Sequence, residues 1–185
     1  MPRSSQFAFA AMEPGLWTLG SDSIETQEIS SVGLARRILD LDARVYPVEA
    51  HGHVGSAVQW APVFEAYPDS WWALANAADD IVAYWRLAAL KPVAFAQACA
   101  GLLDPFDIQP RDCETLAAPG SYDVYLVRAC IDPAWRGITT RRLFADSFFD
   151  AAERLAQRRV LFGRIAAVAH SDEECRICED LGLAY

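Results

Sequence analysis

Seven residues, Ile131-Asp132-Pro133-Ala134-Trp135-Arg136-Gly137, separate an apolar run at 122–131 from a stretch with helical periodicity that begins near Ile138 or Thr139. A strand that turns directly into a helix leaves the first helical N–H groups without backbone partners. The macrodipole makes the same end positive. Such a junction can hold a phosphate or pyrophosphate. Gly137 would let the backbone approach that group closely. Arg136, Arg141 and Arg142 would add charge, and a guanidinium grips phosphate in a fork. The plain alternative for the same residues is an ordinary strand–helix turn whose arginines soften an acidic surface.

Two other spacings suggest metal or redox chemistry. Cys175 and Cys178 form a Cys-x-x-Cys pair, but no second pair exists to complete a zinc site. A redox pair belongs at a helix start. Ser171 and Glu174 have the spacing of a capping box, which carries both cysteines further into the helix. His51-Gly52-His53 has no evident third ligand and reads as a loop. The five cysteines have no framework spacing, so a disulfide scaffold is not expected. No metal is expected.

The charge balance narrows the ligand class. The formal net charge of −9 repels nucleic acid at long range, so DNA or RNA is not an expected partner. Between Arg128 and Arg164, however, eight arginines face four acids. A local basic patch on an acidic chain suits a small anion better than a polymer; a solvated helix face is the other reading. No apolar run reaches the ~20 residues that cross a bilayer, and no signal-peptide pattern opens the chain. A cytoplasmic protein with no membrane contact is the expectation.

The elements that must position the junction follow from periodicity. The 185 residues fit one domain, with residues 1–23 irregular around Pro14, Gly15 and Gly20. Leu34, Ile38, Leu41 and Val45 recur at helical spacing over 31–45, and Pro47 closes that helix. A short helix is expected around 54–66. Strands at 71–75 and 81–90, with Asp79-Asp80 between them, predict a hairpin. Pro92 opens a helix to Leu102, and 104–120 is a loop-rich crossing. The run 122–131 is apolar on both faces, as in a parallel or mixed sheet. Phe144, Phe148, Ala151 and Leu155 then mark a helix, 160–169 a strand, and 171–181 a capped helix ended by Gly182. Strand, helix, strand implies a parallel pair with a crossover. The expected class is α/β, a mixed central sheet with helices on both faces.

The region 122–183 resembles the acyl-CoA-binding half of the GNAT superfamily, the GCN5-related N-acetyltransferases. Ile131-Asp132-Pro133 is similar to the family's Val/Ile-x-Pro turn, and Arg136-Gly137 to the start of its Arg/Gln-x-x-Gly-x-Gly/Ala loop. Leu181-Gly182-Leu183 is similar to its Leu-Gly-Phe triplet, and Ala83-Tyr84 stands where members often have Gly-Tyr. The looser likeness of the first half extends the resemblance from about Ile24 to Leu183.

The resemblance implies an acyl-CoA-dependent N-acyltransferase, with acetyl-CoA as co-substrate and a small-molecule or protein amine as acceptor. Arg136, Gly137, Ile138, Thr139, Thr140, Arg141 and Arg142 would hold the pyrophosphate. The strand end near Cys130 and Ile131 would hold the pantetheine arm. Catalysis would rest on proximity and charge stabilisation. The chain departs from the pattern in three places. Thr139 and Arg141 stand at the loop's glycine positions. Cys178 stands where many members carry an acid tyrosine, and core packing is its plainer role. Only Ala184 and Tyr185 follow the triplet, where members usually continue into one or two more strands, so the sheet is expected to be short, completed by a partner, or truncated. An open edge there invites a homodimer. Candidate bases are Glu49, His51, His53, Glu65 and Asp69 in the acceptor region, and Asp123 and Tyr125 on the central strand. Each also reads as a solvated loop or strand residue. Trp60, Phe64, Tyr67, Trp71, Trp72, Tyr84 and Trp85 could line an acceptor pocket or simply form core. The competing class is a degenerate GNAT-fold module that binds a ligand or protein without chemistry.

Overall fold

A computed structural model describes residues 16–19, 30–46, 56–169 and 171–183 of the chain. Five strands form one sheet in the order β1-β2-β3-β4-β5: β1 (Trp17–Leu19), β2 (Trp71–Ala75), β3 (Ile81–Ala89), β4 (Gly120–Ile131) and β5 (Val160–Ala167). The first three pairings are antiparallel, and β4 with β5 is parallel. Among the described residues five α-helices flank the sheet: α1 (Ser31–Val45), α2 (Ala57–Ala66), α3 (Pro92–Cys99), α4 (Ile138–Gln157) and α5 (Asp172–Asp180). The class is mixed α/β with helices on both faces, and α4 is the expected crossover between the parallel strands. The element order is the one the GNAT resemblance implies.

Side-chain alternation along the strands divides the core into two layers. On one face Leu34, Ile38 and Leu41 of α1 pack with Trp60 and Phe64 of α2 against Trp71, Ala73, Ile81 and Tyr84. On the other, Phe144, Phe148 and Ala151 of α4 meet Trp72, Trp85, Val124 and Ile131. Ile177, Cys178 and Leu181 of α5 join this second layer at the carboxyl end of β4.

Several boundaries differ from the sequence expectation, each for a local reason. Trp17–Leu19 is a strand rather than irregular chain, because it adds to the free edge of β2 and buries Leu19 against α1. Helix α2 starts at Ala57, since the Ser56 side chain accepts from the Gln59 N–H and acts as the cap. Helix α3 stops at Cys99, where Gly101 at φ +69° turns the chain and the Leu102 N–H returns to the Gln97 carbonyl. Gly182 at φ +76° closes α5 in the same way, as its spacing predicts. Strand β4 starts two residues earlier than expected, and β5 ends two earlier. The 76–80 turn closes on the Asn76 side chain, which accepts from the N–H groups of Ala78 and Asp80.

Candidate functional site

Strand β4 has different partners along its length. On one side it follows β3 to the pair Ala83–Ile131; on the other, its ladder with β5 ends at Leu126–Ala167. Arg86 opposes Arg128 while Leu87 opposes Leu126, so Val127 is the extra residue of a bulge. A bulge bends and twists the strand that carries it, and here it lies where the two parallel strands part. The Asp132 N–H donates to the Val82 carbonyl at 2.8 Å. By alternation the backbone of Cys130 therefore faces β3, and that of Ala129 and Ile131 faces the parted side. There the Ile131 carbonyl accepts from Arg136 Nε at 3.1 Å.

Helix α4 begins beside this opening. Its cap residue is Gly137, which offers no side-chain hydrogen bond, and its first turn contains no acid. The first capped carbonyl is that of Gly137, bonded by the Arg141 N–H, so the N–H groups of Ile138, Thr139 and Thr140 form the uncapped start. A Cβ on Gly137 would meet open space. The structure thus brings Ile131, Arg136, Gly137, Ile138, Thr139 and Arg141 to one corner. Three other expected residues turn away. The Cys130 side chain is buried on the α1 face, Thr140 is buried, and the exposed Arg142 pairs along its own helix with Asp146.

The arginines at this corner already have an anionic partner. Arg141 Nη2 lies 2.6 Å and 2.9 Å from the two carboxylate oxygens of Glu173, and Arg136 Nε lies 3.7 Å from the same group. Asp180 adds a contact of 3.6 Å to Arg141 Nη1. Elsewhere Arg158 pairs with Asp69, and Arg164 with Asp123. The basic run seen in the sequence is therefore not a single open patch.

On the α1 face, behind the parted end of β4, lies a buried polar cluster that periodicity alone does not reveal. Arg86 and Arg128 are cross-strand partners, 2% and 5% exposed, and like charges placed so need counter-charges. Asp42 and Glu174 supply them. Tyr84 Oη donates to Asp42 Oδ1 at 2.7 Å, and Tyr46 Oη donates to Glu174 Oε1 at 2.7 Å. Arg128 Nη1 lies 3.4 Å from Glu174 Oε1, and its guanidinium sits 4.3 Å from the Tyr46 ring centroid. The Arg86 guanidinium sits 4.7 Å from that of Trp60. Asp42 Oδ2 and the Arg86 Nε and Nη2 atoms are buried without a hydrogen-bond partner among the described residues.

Burial, opposed by Arg128 and the Tyr84 hydrogen bond, pushes the Asp42 carboxyl up to about 6. Burial pulls the Arg86 guanidinium down to about 10, so it stays charged at neutral pH. It acts downward on Arg128 too, but the surrounding groups outweigh it and hold that guanidinium above its ordinary value. Burial also raises both phenols, which therefore remain neutral, so the acidic side chains that face the two arginines are Asp42 and Glu174. The sequence signals were an acid four residues after Ile38 on the apolar stripe of α1, and single arginines inside two apolar strands.

The remaining candidates are dispersed. Cys178 is buried with Ala129 and Ile131 in one apolar cluster, and burial raises its thiol. Glu65 is exposed on α2 and accepts from the Ser31 hydroxyl. Asp123 pairs with Arg164 near the start of β4, about 26 Å of strand from Ile131 at the usual rise. That hydrogen-bonded pairing lowers its carboxyl. Asp69 precedes β2 and pairs with Arg158, and Tyr125, one residue before the last β4–β5 pair, is buried with Phe95, Val127 and Ala166, whereas Glu49, His51 and His53 fall outside the described residues. The aromatic set does not form one pocket: Trp71 and Tyr84 face α1, while their neighbours Trp72 and Trp85 face α4. A cavity of about 140 Å³, lined by Leu87, Ala89, Leu116 and Arg158 among others, lies where β3 ends and β4 begins, at the opposite end of the sheet. Among the described residues no three His, Cys, Asp or Glu side chains converge as a metal site would require, and no helix is long and apolar enough to cross a membrane.

No family model and no curated protein matches the chain. Among solved structures it is similar to a ribosomal-protein-alanine N-acetyltransferase from Brucella melitensis biovar Abortus 2308. That likeness has 12% identity and a TM-score of 0.48, covering 92% of this chain and 90% of the other. An acetyltransferase from Trypanosoma brucei gives 14% identity, a TM-score of 0.46, and 92% coverage of each chain. An aminoglycoside acetyltransferase from an uncultured soil metagenomic sample gives 15% identity and a TM-score of 0.47, covering 94% of this chain and 93% of the other. Likenesses this distant carry no argument about what this chain binds.

Proposed function

We propose that this chain is an acyl-CoA-dependent N-acyltransferase of the GNAT type, which moves an acetyl group from acetyl-CoA to a small-molecule or protein amine. One observation carries the reading: β4 parts from β5 after Leu126–Ala167, directly beside the uncapped start of α4. The opening presents the backbone of Ala129 and Ile131 to an extended arm. The α4 start presents three N–H groups and a dipole end to a pyrophosphate.

In this reading an acyl carbonyl held along β4 is polarised by strand N–H groups, and held orientation supplies much of the rate. The amine nitrogen forms the new C–N bond as the C–S bond breaks, and one amine proton ends on the leaving thiolate. An acceptor that arrives as an ammonium must first lose a proton. Asp42, although ionised at neutral pH, is fully buried behind the strand and opens onto no cavity among the described residues, so solvent takes that proton in this reading.

A second reading has one specific observation in its favour. Glu173 and Asp180 already neutralise Arg136 and Arg141, which suits a GNAT-fold module that binds a ligand or protein without turnover. Thiol release from acetyl-CoA, followed across a panel of amines and peptides, separates the two. Amine-dependent release supports the transferase; acetyl-CoA binding with no release above the solvent rate for any acceptor supports the module.

A further inference from the structure

Two helices start at the carboxyl ends of the parallel strands, α4 after β4 and α5 after β5. Both starts are electropositive, and a crevice outside the carboxyl ends of parallel strands is where such sheets take ligands. The first turn of α5 is Asp172, Glu173 and Glu174, whereas that of α4 has no acid. Glu174 turns inward to Tyr46 and Arg128. Glu173 turns toward α4 and lies between Arg136 and Arg141, its side chain only 13% exposed.

This carboxylate has the attributes of a bound anion. It takes the closest contact of Arg141 and approaches Arg136, residues that flank the uncapped start of α4 in sequence. With Asp180 it brings the charge of the four groups to zero. Its backbone is fixed, because Ile177, Cys178 and Leu181 bury the inner face of α5. The Glu173 side chain is 13% exposed and that of Arg141 26%, so the ion pair borders solvent. A tethered group competes at a high effective concentration.

From this geometry we infer that Glu173 is the resident counter-anion of the Arg136–Arg141 pair, and that it sets how much a ligand's phosphate contributes to binding. The inference rests on the acyl-CoA reading and adds a specificity-determining residue to it. An incoming diphosphate must displace the Glu173 carboxylate before it gains the two arginines. The apparent affinity is lowered by the fraction of molecules in which the carboxylate is in place. A ligand without phosphate meets no such competitor. The wild-type chain therefore gains less from the diphosphate than the two arginines could supply, and removing the Glu173 charge widens the preference for acetyl-CoA over S-acetylpantetheine.

Calorimetric titration of wild type, Glu173→Gln and the double variant Glu173→Gln/Arg141→Gln with both thioesters tests this. Displacement of one charge-assisted contact corresponds to a tenfold to hundredfold change, on the order of the usual value of such bonds. The expected result is acetyl-CoA binding at least about tenfold tighter in Glu173→Gln, unchanged binding of S-acetylpantetheine, and loss of the gain in the double variant. Glu173→Ala, with thermal melting of every variant, guards against an effect of misfolding. Wild-type binding of acetyl-CoA that Glu173→Gln leaves unchanged or weakens overturns the inference and leaves the acyl-CoA reading standing. An equal gain for both thioesters also overturns it, because the effect then does not run through phosphate. No acetyl-CoA binding by any folded variant overturns the acyl-CoA reading, and the inference falls with it.

Discussion

Asp42 allows a sharp test of which force wins inside the α1 face. Its carboxyl is fully buried, accepts from Tyr84 Oη, and faces two arginines. Burial favours the neutral acid; Arg128, the Tyr84 bond and Arg86 favour the ion. The balance lies with burial, at about 6 against an ordinary 3.8. The folded state then holds a proton that the unfolded chain releases first. As pH rises from about 4 to about 6, this group therefore costs the fold stability, and above that range the cost is constant. The 2-unit gap corresponds to about 3 kcal/mol, or roughly 6–12 °C in Tm for a domain of this size.

Asp42→Asn keeps an oxygen for Tyr84 and removes the titration. Chemical denaturation of both proteins at several values between pH 4 and pH 7.5 isolates the group, because carboxylates remote from the cluster cancel in the difference. The stability of Asp42→Asn relative to wild type should rise by about 3 kcal/mol across that range. A difference independent of pH would mean that the two arginines fully offset burial. A difference of opposite slope would mean that they hold the carboxyl below its ordinary range, and the reasoning would be refuted.

Arg128→Met should cost about 3–5 kcal/mol by urea denaturation, because Glu174 and Asp42 lose a buried counter-charge; adding Glu174→Gln should recover part of it. Arg136→Glu should weaken acetyl-CoA binding at least about tenfold by calorimetry. It should move Tm by only a few degrees, since the side chain is partly exposed and its tie to the Ile131 carbonyl is one bond.

Much of the fold is readable from local pattern. The 34–38–41 stripe marks α1 with its observed bounds, the hairpin and the crossover follow from strand and helix order, and Ser171 and Gly182 bracket α5. The corner around Arg136 and Gly137 is readable too, because strand end, turn and helix start are consecutive. The groups that complete it are not. Glu173 is 32 residues from Arg141, Glu174 is 46 from Arg128, and Tyr84 is 42 from Asp42, so only the tertiary fold brings them together. The bulge at Val127 is equally silent, because the run from Val124 to Val127 around it is apolar on both faces. The aromatic set is a case where the pattern was available. Trp71 with Trp72 and Tyr84 with Trp85 are sequence neighbours on strands, so period-two alternation sends each pair to opposite faces.

The central claim is that the parted end of β4 and the start of α4 form one acyl-CoA site. Backbone amide NMR during titration with acetyl-CoA tests it most directly, because it reports position as well as binding. The account predicts saturable shifts concentrated at Ala129, Ile131, Gly137, Ile138, Thr139 and Thr140. Shifts confined to Leu87, Ala89 and Leu116 around the far cavity, or none at millimolar ligand, would contradict it.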